Sequence, residues 1–502
     1  MLTPRDRFLA TTFVAFLFVA CLLLCGIASA APSIMLSKKS GPPTSKILVS
    51  GRGFRPNAGV DIYFDTKDEA LVVTNVKGEF ENAKIHAPRG ARPGKHWVTA
   101  LERSNEKGAQ ESFLVQTNWS QFRFDADGTR LNPHENVLNP KTIGNLELEW
   151  SYATRREVYS SPAVVNGVVY VGSNDHYIYA LNAKTGRKLW ICLTRGSAQS
   201  PPAVANGVVY VGSEDGSVYA LNARTGAKTW NYTTGGAVYS SPAVANGVIY
   251  IGSDDHNVYA LDARAGTLLW SYATGAWVDS SPVVVNGVVY VGSEDGNMYA
   301  LNASTGAKLW SSTTGGVDSS PTVANGVVYF GANDGNMHAL NANAGTELWT
   351  YHTGSLVESS PAVANGVVYV GSDLGYVYAL DARTGANLWT YTTEESVISS
   401  PAVANGVVYV GSGNNNLYAL NASTGGLLWS YATGREVYSS PAVVNGVVYV
   451  GSGDYNVYAF GLRRGDQDKQ ETVSRRPDTK TLRPDFNLKV SKPVAMMSGA
   501  EL

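Results

Sequence analysis

The chain has 502 residues and a formal net charge of −2 at pH 7, and 16% of its residues are charged, below the ~25% of ordinary soluble domains. That balance offers no basic footprint and excludes nucleic acid as an expected partner. Three cysteines exclude a disulfide-built scaffold, and the length accommodates a leader, a small domain and a large array whose core needs no covalent staples.

Arg5 and Arg7 precede an apolar run from Phe8 to Ile27 and then Ala28-Ser29-Ala30, ahead of Ala31 and Pro32. The order reads as a secretory signal over residues 1–30, cleaved after Ala30, and places the protein outside the cell or in the periplasm or cell envelope. Two alternatives stay open: the run approaches membrane-spanning length, so an uncleaved signal gives a membrane association, and Val19-Ala20-Cys21 is a loose lipoprotein site. Cleavage removes Cys21 and Cys25 and leaves Cys192 alone, read as a small apolar residue with no disulfide partner. Residues 31–116 show no repeat. Short apolar runs such as VDIYF, ALVVT, HWVTAL and ESFLV, separated by turns at Arg55 to Gly59 and Arg92 to Gly94, predict a small β-sandwich. Gly51-Arg52-Gly53-Phe54 with Pro56, and Pro93-Gly94-Lys95-His96, resemble immunoglobulin-like modules of bacterial extracellular proteins, which implies a spacer or adhesive domain.

From Ser161 to Trp190 runs SPAVVNGVVYVGSNDHYIYALNAKTGRKLW, and versions of it begin at Pro162, Pro202, Pro242, Pro282, Pro321, Pro361, Pro401 and Pro441, a period of 40 residues with one interval of 39. A period of that size is the mark of a repeat architecture. In each copy an Asn-Gly pair such as Asn166-Gly167 joins two β-prone runs, the strongest short hairpin signal, because both residues tolerate positive φ. A second turn at Ser173 to His176, a period-two run from Tyr177 to Leu181, and a third turn at Ala183 to Gly186 lead to a fourth strand ending on Trp190. Four strands per copy is one propeller blade. Trp150, Trp190, Trp230, Trp270, Trp310, Trp349, Trp389 and Trp429 recur once per copy as structural docking residues, each indole burying roughly 150 to 250 Å². Trp150 stands before the first copy, and the last copy ends at Phe460 without a tryptophan strand. The fold predicted over residues 117–462 is therefore an all-β, eight-bladed β-propeller whose N-terminal tryptophan strand completes the last blade, preceded by the small β-sandwich. Such closure removes exposed edges.

Ala180 to Trp190, ALNAKTGRKLW, resembles the tryptophan-docking repeat of quinoprotein alcohol dehydrogenases, the pyrroloquinoline-quinone-like propeller family, and Trp119 to Asp125 with Asn132 resembles the lead-in of such propellers. The resemblance covers roughly Trp119 to Leu462 and implies a propeller shared by catalytic quinoproteins and by non-catalytic relatives such as the outer-membrane assembly factor BamB. Fold alone does not choose between them. The catalytic branch implies a quinone pocket, Ca²⁺, a catalytic carboxylate and often a vicinal disulfide. This chain has no Cys-Cys pair, and its repeats run almost without insertions. The expected function is an exported, monomeric, non-enzymatic binding or scaffold propeller without cofactor or catalytic residues. The alternative is a pyrroloquinoline-quinone-dependent oxidoreductase.

Asp175, Asp215, Asp255, Asp295, Asp334 and Asp454 fall in the second turn of separate copies, where Asp bonds its own backbone rather than a metal. His176 and His256 are turn residues, and the seven histidines have no zinc spacing. After Leu462 the composition turns polar, so residues 463–502 are expected as a disordered tail; its Arg464-Gly465-Asp466 is read as a chance triplet. One position varies while its neighbours repeat: the residue before Ser-Ser-Pro, which reads Tyr159, Gln199, Tyr239, Asp279, Asp318, Glu358, Ile398 and Tyr438. Each stands where the chain enters the innermost strand, at the axial funnel. Asp279, Asp318 and Glu358 thus predict an acidic arc faced across the opening by Tyr159 and Tyr438, with Arg156 and Arg435 nearby and Tyr239 a further candidate of the funnel, a site for a protein or peptide partner with a basic segment, or for a divalent cation.

Overall fold

The computed structural model describes residues 31–463 except 106, 126 and 127, together with residues 482, 490 and 491. The expected signal, the Arg464-Gly465-Asp466 triplet and most of the tail lie outside the described residues. Among the described residues no helix is long and apolar enough to cross a membrane. The chain divides into two compact units, Met1–Val115 with Val473–Leu502, and Gln116–Thr472.

In the first unit, turn residues separate strands β1 (Ser33–Leu36), β2 (Ser40–Gly41), β3 (Lys46–Arg52), β4 (Gly59–Phe64), β5 (Lys67–Val73), β6 (Phe80–His86), β7 (Gly94–Glu102) and β8 (Gly108–Val115). One sheet has the order β1-β3-β6, and the other runs β2-β8-β7-β4-β5 and ends on Val490–Ser491. Side-chain alternation sends Ile47, Val49 and Ile85 of the first sheet and Ile62, Phe64, Val98 and Phe113 of the second into one core. The tail departs from its expected disorder at two points: Val490–Ser491 pairs in parallel with β5, and Leu482 is buried against Tyr63 and Leu101.

The second unit opens with β9 (Leu131–Asn132) and β10 (Leu146–Ala153), after which the first repeat folds as β11 (Ala163–Val165), β12 (Val168–Gly172), β13 (Tyr177–Asn182) and β14 (Lys188–Leu193). These form a four-stranded antiparallel sheet in chain order. Asn166 and Gly167 take φ of 51° and 76°, the geometry the two-residue hairpin requires, so Ala163 faces Tyr170 and Val165 faces Val168. The following copies repeat that order. In the last copy the strands Ala442–Val444, Val447–Gly451 and Asn456–Leu462 have β10 as their fourth, paired from Leu146↔Leu462 to Ala153↔Asn456.

Adjacent copies are joined at one carbonyl. Trp190 Nε1 donates to Ala223 O at 2.9 Å and Tyr170 OH donates to the same oxygen at 3.1 Å. Trp150 and Tyr449 make the corresponding bonds, at 2.9 and 3.2 Å, to Ala183 O in the first copy. Nearer the axis, Ser160 Oγ donates to Ser200 O at 3.2 Å. The same bond passes through Ser200, Ser240, Ser280, Ser319, Ser359 and Ser399 to Ser439, whose Oγ returns to Ser160 O at 3.1 Å. A second series, from a backbone N–H to the serine Oγ of the next copy, ends with Ser440 on Ser161 and is broken at Pro201, which has neither group. Ser241 Oγ donates to Pro201 O there instead, at 2.9 Å.

Deleting residues 146–152 removes the partner of Asn456–Leu462 and leaves its backbone unpaired. The shortened chain is expected to lose its monomeric state and aggregate, read by light scattering. A deletion that stays monomeric and melts at the parent temperature contradicts this pairing.

Candidate functional site

The segment before β10, read from sequence only as a lead-in, lies along the inner edges of the repeat sheets. Trp119 exchanges two backbone bonds of 2.7 Å with Val164, and the N–H groups of Val204, Val363 and Val403 donate to the carbonyls of Ser120, Thr129 and Arg130. β9 adds in parallel to the strand Ala402–Ala404. Between these points two arginines are buried with carbonyl acceptors in place of carboxylates. Arg123 donates to the carbonyls of Ser281, Pro282 and Pro321, and Arg130 to those of Pro401 at 2.6 Å, Phe122 at 2.6 Å and Ser400 at 3.1 Å. Burial pulls both guanidinium groups down to about 9. Glu135, also buried, accepts the N–H groups of Val137, Leu138 and Gly446, and burial raises its carboxyl. These bonds seat the segment against the inner strands as a polar, hydrogen-bonded plug.

The variable position before Ser-Ser-Pro stands just upstream of the carbonyls that the plug engages. The structure brings it together with a second variable position, the residue after the Ser of the second turn, in the preceding copy. Asp279 is hydrogen-bonded to Asp254, and burial, with that bond second, pushes Asp279 up to about 8. Glu294 is hydrogen-bonded to Asp318, and this bond, with burial second, pushes Glu294 up to about 8. Glu358 is raised to about 7 by burial and then by the charges of Asp373 and Asp318; burial raises Asp373 as well. Two carboxyls that share a site cannot both ionise cheaply, so each pair retains a proton near neutral pH. Asn333 Nδ2 bridges Asp318 at 3.1 Å and Glu294 at 3.2 Å. Oδ1 of Asp254, of Asp279 and of Asp373 is buried with no donor among the described residues.

The tyrosines of the mouth are set among acids too. Tyr159 OH donates to Glu436 at 2.7 Å and its ring lies 5.7 Å from that of Tyr438. Burial and then the charges of Glu214, Asp254 and Asp279 push Tyr239 up to about 12. Arg435 lies within 3.9 Å of Glu157 and 3.8 Å of Glu436. Sequence reading found Asp279, Asp318, Glu358 and the three tyrosines but missed Asp254, Glu294 and Asp373. Their signal was the same: a residue that changes from copy to copy between fixed neighbours.

Elsewhere the turn aspartates bond their own backbone as expected. Asp175 Oδ1 accepts the Tyr177 N–H at 3.0 Å, and Oδ2 takes an unanticipated Tyr179 OH at 2.5 Å. Among the described residues, no group of three or more His, Cys, Asp or Glu is placed to hold a metal ion. His176 has φ of 72° and His256 also 72°, in place of glycine. Cys192 is half-buried beside Trp190, and burial pushes its thiol up.

A family model described as outer membrane protein assembly factor BamB matches residues 146–200, 193–279, 276–372 and 356–496. A 1-butanol dehydrogenase (cytochrome c) of Thauera butanivorans is 35% identical over 81 residues, 16% of this chain; the chain spans 12% of the length of that curated relative. Among solved structures, BamB from Moraxella catarrhalis aligns at TM-score 0.56 and 19% identity over 63% of this chain and 100% of its own. A europium-containing methanol dehydrogenase aligns at TM-score 0.61 and 14% identity over 69% of this chain and 98% of its own. At these identities the likeness to the two structures is one of fold.

The mouth carboxyls make stability depend on pH with a defined sign. In the unfolded chain Asp and Glu titrate near ~4, whereas Asp279 and Glu294 titrate at about 8 in the fold. Their contribution is fully present below about pH 4 and is lost as pH rises through about 8. By calorimetry the melting temperature of Asp279→Asn is expected to fall less between pH 6 and pH 9 than that of the parent. Equal pH slopes contradict the paired-carboxyl geometry.

Proposed function

We propose, from the premise that the chain belongs to the outer membrane protein assembly factor BamB family, that it is an exported, non-enzymatic docking protein of the cell envelope. In this reading it works as an eight-bladed propeller closed by β10, with an immunoglobulin-like module as spacer. Its acidic mouth receives a basic segment of a protein partner. The observation that carries the reading is the set of buried carboxylate oxygens without donors on Asp254, Asp279 and Asp373, beside carboxyls raised toward neutral pH. A lysine or arginine side chain entering the mouth supplies the missing donors and charge, and the adjoining, mutually tilted rings of Tyr159 and Tyr438 offer aromatic faces to a guanidinium or ammonium group.

The same charges argue against a resident quinone. Pyrroloquinoline quinone is itself a tricarboxylate, and a mouth whose acids already hold extra protons in one another's field disfavours another anion. Beneath the mouth, the plug arginines have their donors on backbone carbonyls. The residues present therefore do not fit the cofactor of the dehydrogenase branch.

Titration with an arginine- and lysine-rich peptide in a calorimeter tests the reading. Binding is expected at low ionic strength and is expected to weaken with salt. The triple variant Asp279→Asn, Asp318→Asn, Glu358→Gln should lose it by about tenfold or more, corresponding to ~1.4 kcal/mol, without a lower melting temperature. No binding by the parent, or equal binding by the triple variant, contradicts the docking site. Turnover of an alcohol panel with added quinone, Ca²⁺ and an artificial acceptor contradicts the non-enzymatic reading.

A further inference from the structure

Two residues before the mouth position, a third position differs between copies. In chain order it reads Glu157, Ser197, Ala237, Trp277, Gly316, Leu356, Ser396 and Glu436. One backbone bond makes these residues equivalent: the carbonyl of each accepts the N–H of the variable second-turn residue in its own copy. Glu294 donates to Trp277 O at 2.9 Å, Asn333 to Gly316 O at 2.8 Å and Asp373 to Leu356 O at 3.2 Å. The backbone is therefore held in the same way whatever the side chain, and packing within the copy does not choose the residue.

Large apolar residues fall at this position only in copies that also carry the acidic arc. Trp277, Gly316 and Leu356 precede Asp279, Asp318 and Glu358, whereas every other copy has Glu, Ser or Ala there. Trp277 is 55% and Leu356 39% exposed, so neither serves the core. A side chain at this position starts among the carboxyls: a Cβ on Gly316 would stand 2.7 Å from Glu294 Oε2 and 3.1 Å from Asn333 Nδ2. Glycine thus leaves the room in which Glu294 meets Asp318 and Asn333. By the repeat, the Cβ of Trp277 takes the same direction toward Asp254, the turn acid of the copy before it and the partner of Asp279.

We propose, resting on the basic-segment reading of the mouth, that Trp277 and Leu356 form an apolar clamp on either side of a gap at Gly316, and that the partner's segment is amphipathic. Its lysine or arginine enters at the gap, and a large apolar residue on each side of it covers the indole and the leucine. Once covered, the two apolar side chains exclude water from the charged contact between them, which strengthens that contact. A segment of basic and polar residues alone leaves both in water.

The test titrates the full chain, by calorimetry, with two peptides of equal charge that differ only at their centres, Leu-Ser-Arg-Ser-Leu in one and Ser-Ser-Arg-Ser-Ser in the other. The parent is expected to bind the leucine peptide about tenfold or more tightly than the serine peptide. The double variant Trp277→Ser, Leu356→Ser, which installs the residue found at Ser197 and Ser396, is expected to bind the two equally. Gly316→Leu fills the gap and should weaken the leucine peptide by a similar factor. Equal affinity of the parent for both peptides, or a double variant that keeps the parent's preference, overturns the clamp and leaves the basic-segment site standing. A parent that binds neither peptide overturns the docking reading and the clamp with it. Partition of the parent onto phosphatidylcholine vesicles, lost in the double variant, assigns the two apolar residues to a lipid surface and likewise overturns the clamp.

Discussion

The structure depends on one carbonyl in each docking turn. Ala223 O receives the indole N–H from the fourth strand of the preceding copy and the tyrosine hydroxyl from its second. That double acceptance fixes both the distance and the tilt between neighbouring sheets. The indole lies flat on the turn, which explains the glycine: Gly186 has φ of 66°, and a Cβ there would stand 2.7 Å from the Trp150 ring. A residue other than glycine is refused twice, by backbone strain and by the tryptophan. The joint to the last copy shows the rule by its exception. There Phe460-Gly461-Leu462 replaces Leu-Asn-Ala, Trp429 turns to Leu146 O at 3.2 Å, and the buried Tyr409 hydroxyl has no partner among the described residues.

With sheet spacing set at the periphery, the axis is free to carry whatever the inner positions supply. The serine series holds the inner strands in register by hydrogen bonds between copies, the lead-in segment bonds to those strands, and the residues just upstream of the serines are left to differ. Their differences are not scattered. Acids occupy two positions in consecutive copies, so the carboxyls of Asp254, Asp279, Glu294 and Asp318 press on one another, while Tyr159 and Tyr438 pack on each other. A repeat scaffold built this way converts small sequence changes at two positions per copy into a local cluster of carboxyls.

Much of this was legible in the sequence because the repeat tests every assignment several times. Asn166-Gly167 dictates a hairpin by its own φ preferences, and the spacing of Trp150 through Trp429 locates the docking strand. The missing tryptophan after Phe460 points to Trp150 as the partner strand, and β10 does pair there. Three features resisted. The pairing of Asp254 with Asp279 joins a turn of one copy to the entry strand of the next, a contact that no local pattern expresses. Arg123 and Arg130 occur once, outside the period, and take carbonyl partners, so no acidic residue at a telling distance announces their burial. The described points of the tail, Leu482 against Tyr63 and Leu101 and Val490–Ser491 beside β5, lie within a stretch whose lysines, arginines and prolines read as solvated chain.

The central claim is that the mouth holds protonated carboxyl pairs which a basic ligand discharges. Calorimetric titration of the protein with an arginine- and lysine-rich peptide at pH 7, repeated in buffers of different ionisation enthalpy, measures the protons exchanged on binding. The account predicts net proton release to the buffer, because a cation at Asp279 and Glu294 lowers carboxyls that stand at about 8 in the free protein. Binding heats independent of the buffer, or proton uptake, would contradict it.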